Sequence, residues 1–280
     1  MSGRINNLFI GKWILLLCCI LSIISCKEDK EGCKDITASN WDASADKSCE
    51  DCCTFPSLKF EWTHVYADTS FSYGDPLTDE FDNVYTITSI RYYLSNISFT
   101  TNGEEYLVTD SITASVYADT GFVEQEVRDD VLFVTQGTST STVGDFRSNG
   151  QFLDSLTLSI GVVQPLNSVG PGSVPNTHPL APKADSMYWD VTRGYIFQRI
   201  KIVPDTAMTD TLLLEIGGDA VVQTTTLPYG QSTVSGFDLS VPLKIDYKCW
   251  FEGINFAEAT EEEMEAQIVT NLAKGFSVSE

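Results

Sequence analysis

The most informative segment of the chain is rich in aromatic residues and contains a single glycine: Met187-Tyr188-Trp189-Asp190-Val191-Thr192-Arg193-Gly194-Tyr195-Ile196-Phe197-Gln198-Arg199-Ile200. From Tyr195 onward the side chains alternate, so that Tyr195 and Phe197 take one face of the chain and Ile196 takes the other. Alternation with a period of two is typical of a β-strand, and a glycine at the start of a strand favours a bend. The segment therefore predicts a strand that bends at Gly194.

A second predicted strand lies far upstream and shows the same period. The side chains that share one of its faces are Leu58, Phe60, Trp62, His64 and Tyr66. Further β-branched and aromatic runs follow, separated by turn signals such as Asn102-Gly103. Many short strands of this kind indicate a mostly β protein with a sandwich-like domain.

One α-helix is predicted at the C-terminal end of this domain. Thr260 and Glu263 have the spacing of a capping box, in which two side chains bond each other's backbone N–H groups. Met264, Ile268 and Leu272 follow at helical spacing and form an apolar stripe. We therefore expect a β-sandwich that is closed by one helix.

Residues 1–25 have the organisation of a lipoprotein signal peptide. Arg4 supplies the early positive charge, and an apolar run too short to span a bilayer comfortably follows over residues 13–24. The run ends in Ile23-Ile24-Ser25-Cys26, which resembles a lipobox and implies that Cys26 carries a lipid. Cys26-Lys27-Glu28-Asp29 also resembles an export signal to the outer face of the outer membrane. We expect a surface-exposed outer-membrane lipoprotein that contacts the membrane through its lipid anchor.

The charge of the chain narrows the choice of partners. The formal net charge is −22 at pH 7. So acidic a surface repels nucleic-acid phosphates and anionic lipid headgroups, and it attracts cations or basic proteins. We therefore expect no nucleic-acid partner.

Five cysteines remain once the signal peptide and Cys26 are set aside: Cys33, Cys49, Cys52, Cys53 and Cys249. An exported chain meets an oxidising compartment, which favours disulfides, and the odd number leaves one thiol over. The run over residues 33–45, followed by Cys49, resembles a short disulfide-closed module of secreted bacterial surface proteins. That resemblance implies a Cys33–Cys49 bond. We expect residues 26–56 to form a lipidated, cysteine-rich stalk or module and residues 57–280 to form the β domain.

The two histidines of the chain are His64, in the upstream strand, and His178, in a Pro-rich loop just before the aromatic segment. Trp62 and His64 point to the same side of their strand, because residues i and i+2 share a face. Neutral imidazole is a good ligand for copper and zinc. Two imidazoles in an aromatic pocket suit Cu(I), provided that the fold brings the two segments together. The alternative is one core histidine and one exposed loop histidine with no common role.

Three further segments are distinctive: Ile90-Arg91-Tyr92-Tyr93-Leu94-Ser95-Asn96-Ile97, Leu156-Thr157-Leu158-Ser159-Ile160-Gly161-Val162-Val163-Gln164-Pro165-Leu166-Asn167, and Pro179-Leu180-Ala181-Pro182 with Met187-Tyr188-Trp189 and Gly194-Tyr195. Together they resemble the MbnP-like copper-binding family of bacterial surface and periplasmic proteins. The resemblance implies a β-sandwich-like domain that binds copper. In some relatives a di-haem partner enzyme oxidises a tryptophan two residues before a histidine to kynurenine, and the kynurenine joins two histidines at Cu(I).

Carried over to this chain, the resemblance makes Trp62, His64 and His178 the candidate metal site, with Trp62 the residue that would become kynurenine. Many relatives have a histidine before a glycine in a late strand, where this chain has Glu215. The sequence contains neither a Gly-x-Ser-x-Gly motif nor a phosphate-binding loop. We therefore expect not an enzyme but a lipid-anchored protein for copper acquisition or handling in the cell envelope. The alternative is a non-catalytic surface module that binds a glycan or a protein and keeps the fold without the metal.

Overall fold

The computed structural model describes residues 28–49, 51–183, 186–204 and 211–279. Over these residues the chain is mostly β with one α-helix, which confirms the predicted fold class. The strands, in chain order, are β1 (Glu31–Gly32), β2 (Lys47–Ser48), β3 (Ser57–Tyr66), β4 (Thr69–Ser70), β5 (Pro76–Thr78), β6 (Val84–Thr101), β7 (Glu104–Leu107), β8 (Ser111–Ala118), β9 (Gly121–Arg128), β10 (Leu132–Thr135), β11 (Thr140–Asp145), β12 (Phe152–Ile160), β13 (Tyr188–Asp190), β14 (Gly194–Val203), β15 (Leu212–Gly217), β16 (Gln223–Ser232), β17 (Leu239–Asp246) and β18 (Phe276–Val278). The α-helix is α1 (Glu261–Asn271), and short 3-10 helices cover Leu166–Ser168, Pro171–Ser173, Asp219–Val221, Tyr247–Phe251 and Leu272–Gly275. The predicted signal peptide and Cys26 lie outside the described residues.

The described chain divides into two compact units. Residues 28–35, 41–49 and 51–53 belong to the smaller unit, and residues 36–40 belong with the rest of the chain to the larger one. None of the described helices is both long enough and apolar enough to cross a membrane.

The smaller unit contains one pair of parallel strands, β1 and β2, and two disulfides. Cys33 is bonded to Cys53 and Cys49 to Cys52, with Cα–Cα distances of 5.0 and 5.6 Å. The Cys33–Cys49 bond that the module resemblance implied is therefore wrong. Cys49 is bonded instead to Cys52, three residues further along the chain, and the adjacent Cys53 bonds the buried Cys33.

Cys249 is the free thiol that the odd cysteine count predicts. It lies in the larger unit, in the 3-10 helix Tyr247–Phe251. Partial burial, with Asp246 and Glu252 nearby, raises the pKa of this thiol. A raised pKa keeps the sulfur protonated and a poor nucleophile.

Strand β6 is the centre of the large sheet of the larger unit. It is 18 residues long and pairs antiparallel with β14 and with β12. Strands β5, β7 and β10 also pair with it, whereas β15 extends the sheet beyond β14 and β16 extends it beyond β12. After β6, Asn102 and Gly103 take φ angles of 50° and 82° and turn the chain into β7. This is the two-residue hairpin that an Asn-Gly pair predicts.

The smaller sheet of the same unit is built around β3. Strand β11 pairs antiparallel with one edge of β3, and β17 pairs in parallel with the other. Apolar side chains of both sheets meet in one buried cluster, which includes Phe60 and Leu243 from the smaller sheet and Tyr92 and Leu156 from the larger. Burial of this shared apolar surface holds the two sheets face to face.

The predicted helix is confirmed, with its capping box. The Thr260 hydroxyl accepts a hydrogen bond from the Glu263 N–H, and the Glu263 carboxylate accepts one from the Thr260 N–H. Met264, Ile268 and Leu272 are buried against the main cluster, as their spacing predicts. The Leu272 carbonyl accepts a hydrogen bond from the Trp250 indole, which ties the helix end to the 3-10 helix after β17.

Gly194, the predicted bend at the start of β14, occupies a site that only glycine fits. Its φ angle is +74°, and a Cβ there would lie 2.6 Å from the Asn167 carbonyl oxygen and closer still to the Asn167 side chain. That side chain cannot move aside freely, because its Oδ1 accepts a hydrogen bond from the Tyr195 N–H.

We expect Gly194→Ala to destabilise the protein by about 2–5 kcal/mol, the sum of left-handed backbone strain and overpacking. Chemical denaturation monitored by tryptophan fluorescence measures this difference. Gly172→Ala is the matched control, because no atom lies within 4 Å of the added Cβ. Equal stability of the two variants would show that the segment around residue 194 relaxes without strain.

Candidate functional site

Trp62 and His64 lie next to each other on β3. Their ring centroids are 6.2 Å apart, with an angle of 25° between the ring planes. Tyr247, the first residue of the 3-10 helix that follows β17, places its ring 5.8 Å from the imidazole. The parallel pairing of β17 with β3 sets His64 opposite Ile245 and thereby brings Tyr247 to the end of β3.

Both ring nitrogens of His64 have hydrogen-bond partners within the protein. Nε2 lies 2.8 Å from the Thr138 carbonyl oxygen, which can only accept, so Nε2 carries the proton. Nδ1 lies 2.8 Å from the Tyr247 hydroxyl and accepts its hydrogen bond. Burial lowers the pKa of His64 and raises that of Tyr247. His64 is therefore a neutral imidazole whose lone pair faces a protonated phenol.

The side chain of Trp62 makes one polar contact. Its indole N–H donates to the Ser141 hydroxyl of β11 at 2.9 Å, and only 7% of the residue is exposed. The ring edge also packs against Phe60, with centroids 5.8 Å apart. Trp62 is thus part of the sandwich core and lies beside His64.

His178 lies in a different environment. Its Nε2 is 3.0 Å from an Asp129 carboxylate oxygen, and its Nδ1 accepts a hydrogen bond from the Leu180 N–H at 3.1 Å. Because Nδ1 accepts, Nε2 carries the proton and donates to Asp129. The side chain is buried, with 7% of the residue exposed, although the alternative interpretation of the sequence made it an exposed loop residue. The loop is ordered by this contact and by packing of Leu180 in a second apolar cluster.

The structure does not bring His64 and His178 together. The partner of His64, Thr138, follows β10, whereas the partner of His178, Asp129, precedes it. The two histidines share no hydrogen-bond partner, and His64, His178 and Asp129 are not grouped closely enough to hold a metal ion. The two-histidine copper site stays a prediction.

The residues present fit a resident metal only in part. In the described part of the chain, no three His, Cys, Asp or Glu side chains form a group that could hold a metal ion. His178 does not fit as a ligand, because the lone pair of its Nδ1 is used by a backbone N–H. His64 has the tautomer that metal-binding imidazoles adopt, with one N–H on a carbonyl and a lone pair on the other nitrogen. A metal could reach that lone pair if the Tyr247 hydroxyl turned away.

A second group of polar contacts surrounds Trp189, which the sequence did not single out as a site residue. Trp189 donates its indole N–H to a Glu215 carboxylate oxygen at 3.1 Å. Arg199 forms an ion pair with Glu215 at 3.1 Å, and the Glu215 N–H donates to Glu265 of α1 at 3.0 Å. The sequence signal for this group is Glu215 itself, because the family resemblance leads us to expect a histidine there.

Trp189, Glu215 and Glu265 line a cleft of about 490 Å³ between β15 and α1. Its walls combine carboxylates with apolar groups, as Glu262, Glu265 and Val269 show. Burial and the neighbouring carboxylates raise the pKa of Glu265. Gly217 lets the Trp189 ring lie against β15, since a Cβ there would be 2.8 Å from that ring.

Comparison with known proteins gives the family. Residues 56–268 match the model of the MbnP family. The chain belongs to the MbnP family. The family resemblance drawn from the sequence is confirmed.

Among solved structures, MbnP from Methylosinus trichosporium matches this MbnP-family chain at 13% sequence identity, covering 80% of this chain and 98% of that chain, with a TM-score of 0.46. No curated protein matches the chain.

The lowered pKa of His64 has a consequence for stability. When the pH falls below 6.5, the ordinary pKa of histidine, the His64 imidazole of the unfolded chain takes up a proton. The buried imidazole of the folded protein does not. The contribution of His64 to stability is therefore complete above pH 6.5 and is lost as the pH falls below that value. We expect the wild type to lose more stability than His64→Gln between about pH 7 and pH 5, measured as unfolding free energies across that range.

Tyr66→Phe is the control for this comparison. It removes a hydroxyl from the same strand without removing a group that titrates in this range, so it should keep the wild-type pH dependence. Identical slopes for the wild type and His64→Gln would contradict a buried, neutral His64.

Proposed function

We propose that this MbnP-family protein is a non-catalytic, lipid-anchored protein of the cell envelope that handles copper, with His64 as the imidazole ligand and Trp62 beside it. One observation carries the proposal. The Thr138 carbonyl holds the proton on Nε2 and leaves the Nδ1 lone pair of a neutral imidazole next to two aromatic rings. Family membership adds independent support, because copper binding is what the resemblance implies.

The local chemistry favours Cu(I) over harder cations. Imidazole suits copper, whereas carboxylate-poor aromatic surroundings do not suit magnesium or calcium. The His64 imidazole contacts Trp62, Thr138 and Tyr247, none of which supplies an anionic ligand at neutral pH. Tyr247 is the residue that competes with the metal, since its hydroxyl already satisfies Nδ1.

Titration of the metal-free mature protein with Cu(I), against a chelator of known affinity, tests this assignment. We expect wild-type binding that His64→Ala abolishes. Tyr247→Phe should tighten binding by about three- to tenfold, because a net hydrogen bond of about 0.5–1.5 kcal/mol no longer competes for the lone pair. His178→Ala removes a buried imidazole of the same size elsewhere in the fold and should keep wild-type affinity, which makes it the matched control.

Other outcomes of the titration are equally informative. Loss of binding in both histidine variants would restore the two-histidine site and require the loop around His178 to move. Loss in His178→Ala alone would contradict the assignment of His64. Absence of binding by the wild type, with Trp62 unmodified or converted, would remove the copper function.

We propose that the mature chain carries two modifications, a lipid on Cys26 and, where a di-haem partner enzyme is present, kynurenine in place of Trp62. Mass spectrometry of peptides from the membrane-derived protein is expected to find acylated Cys26. It should also find the kynurenine mass at residue 62 only after co-expression with the partner. Unacylated Cys26 would contradict the anchor, and an unchanged Trp62 in the presence of the partner would contradict the modification.

The cleft at Trp189 favours a second candidate function, a non-catalytic surface module for a protein or glycan ligand. The observation behind it is the combination of an indole, apolar groups and carboxylates around about 490 Å³. Pockets of this size with a few placed polar groups are typical ligand sites. Wild-type protein that binds no Cu(I) would favour this alternative.

A further inference from the structure

The hairpin of β8 and β9 has one covered edge and one open edge. The two strands pair over eight residues without a register shift and form a sheet of their own. The outer edge of β8 is covered, because the Gly170 N–H donates to the Ser115 carbonyl at 2.9 Å and the Ser115 N–H donates to the Ser173 hydroxyl at 3.1 Å. On the other side, no strand within the described ranges pairs with the outer edge of β9.

The hydrogen bonds of Ser115 show which backbone groups of β9 face outward. Ser115 points its N–H and C=O away from β9, so its opposite residue, Glu124, belongs to a non-hydrogen-bonded pair. The N–H and C=O of Glu124 therefore point away from β8. Because the pattern alternates, the backbone groups of Phe122 and Glu126 also point outward, whereas those of Val123 and Gln125 bond β8.

This edge has no feature that blocks strand addition by every partner. β9 (Gly-Phe-Val-Glu-Gln-Glu-Val-Arg) contains neither a proline nor a bulge, and the charges of Glu124 and Glu126 disfavour only an acidic partner. Residues 122–126 are all exposed, including Phe122 at 55% and Val123 at 58%. The edge is about 27 Å long at 3.4 Å per residue, enough to bind a strand of ordinary length.

The side chains along the edge carry a charge pattern. Glu124 and Glu126 share one face of β9, and each accepts a hydrogen bond from a serine hydroxyl of β8 through one oxygen. An ionised carboxylate has two oxygens and can accept further bonds. A strand added to this edge would place alternate side chains opposite the two glutamates.

We propose that the outer edge of β9 is a docking site for an extended segment of a partner protein, which adds as a further strand and carries basic side chains opposite Glu124 and Glu126. Main-chain hydrogen bonds supply affinity in such an arrangement, and the alternate side chains supply specificity. The net charge of −22 also attracts a basic partner. This inference is independent of copper binding.

A second copy of this chain is a poor occupant of the same edge. In the two antiparallel registers that pair the longest stretch of two β9 strands through their outward groups, Glu124 meets either Glu124 or Glu126 of the other copy. Like charges directly opposite each other are destabilising. The overall charge of both copies adds to that repulsion.

Amide hydrogen exchange of the full mature protein, with and without a probe peptide, tests the proposal. The probes are two peptides of identical length, one with lysine and one with glutamate at two alternate positions of a Thr/Val-rich strand sequence. We expect the lysine peptide to protect the amides of Phe122, Glu124 and Glu126, which exchange rapidly in the free protein. The amides of Val123 and Gln125 should be protected with or without peptide, and the glutamate peptide should have no effect.

Two variants complete the test. Glu124→Pro removes one outward N–H and one carboxylate, so it should weaken binding of the lysine peptide at least about tenfold. Protection of the Val123 and Gln125 amides in this variant shows that the hairpin is intact. Glu124→Lys combined with Glu126→Lys should reverse the preference to the glutamate peptide. Gln125→Thr is the control, because the N–H of residue 125 bonds β8 and does not face outward. This variant should bind the lysine peptide as tightly as the wild type does.

Three outcomes would overturn the proposal. The first is binding of both peptides with equal affinity, and the second is undiminished binding by an intact Glu124→Pro hairpin. The third is protection of the outward amides that rises with protein concentration in the absence of peptide, which would make a second copy the occupant.

Discussion

The pairing of β6 along both of its edges is the constraint on which the larger unit depends. Its 18 residues hold β14 on one side and β12 on the other, and three short strands share the remaining positions. Backbone groups buried in a sandwich must be hydrogen-bonded, so a strand this long dictates where its neighbours begin and end. The buried face of the sheet, which includes Tyr92 and Leu156, then requires a second apolar layer, and β3 with β17 supplies it.

The same requirement for bonded polar groups determines the state of the histidines. An imidazole partly removed from water must find partners for both nitrogens, and each histidine finds them in a different part of the larger unit. His64 bonds Thr138 and Tyr247, whereas His178 bonds Asp129 and the Leu180 backbone. The fold is thus complete without a shared ligand, and any copper at His64 has to compete with a phenol already in position.

Two surfaces remain that the metal hypothesis does not involve. The cleft at Trp189 exists because Gly217 admits the indole and because Glu265 of α1 bonds the edge of β15. The edge of β9 is open because residues 169–173 cover only the β8 side of the hairpin. Both surfaces carry carboxylates, in keeping with a net charge of −22.

Local patterns in the sequence determined much of this protein. Alternating side chains predicted β3 and β14, the Thr260–Glu263 spacing predicted the start of α1, and Asn102-Gly103 predicted a hairpin, because these signals act between residues close in the chain. The quoted segments also identified the family. Cysteine pairing, the separation of the two histidines and the contact between Trp189 and Glu215 were decided only by the tertiary structure. Thr138 and Tyr247 lie 74 and 183 residues from His64 in the sequence, and no local periodicity reports contacts that the register of distant strands creates.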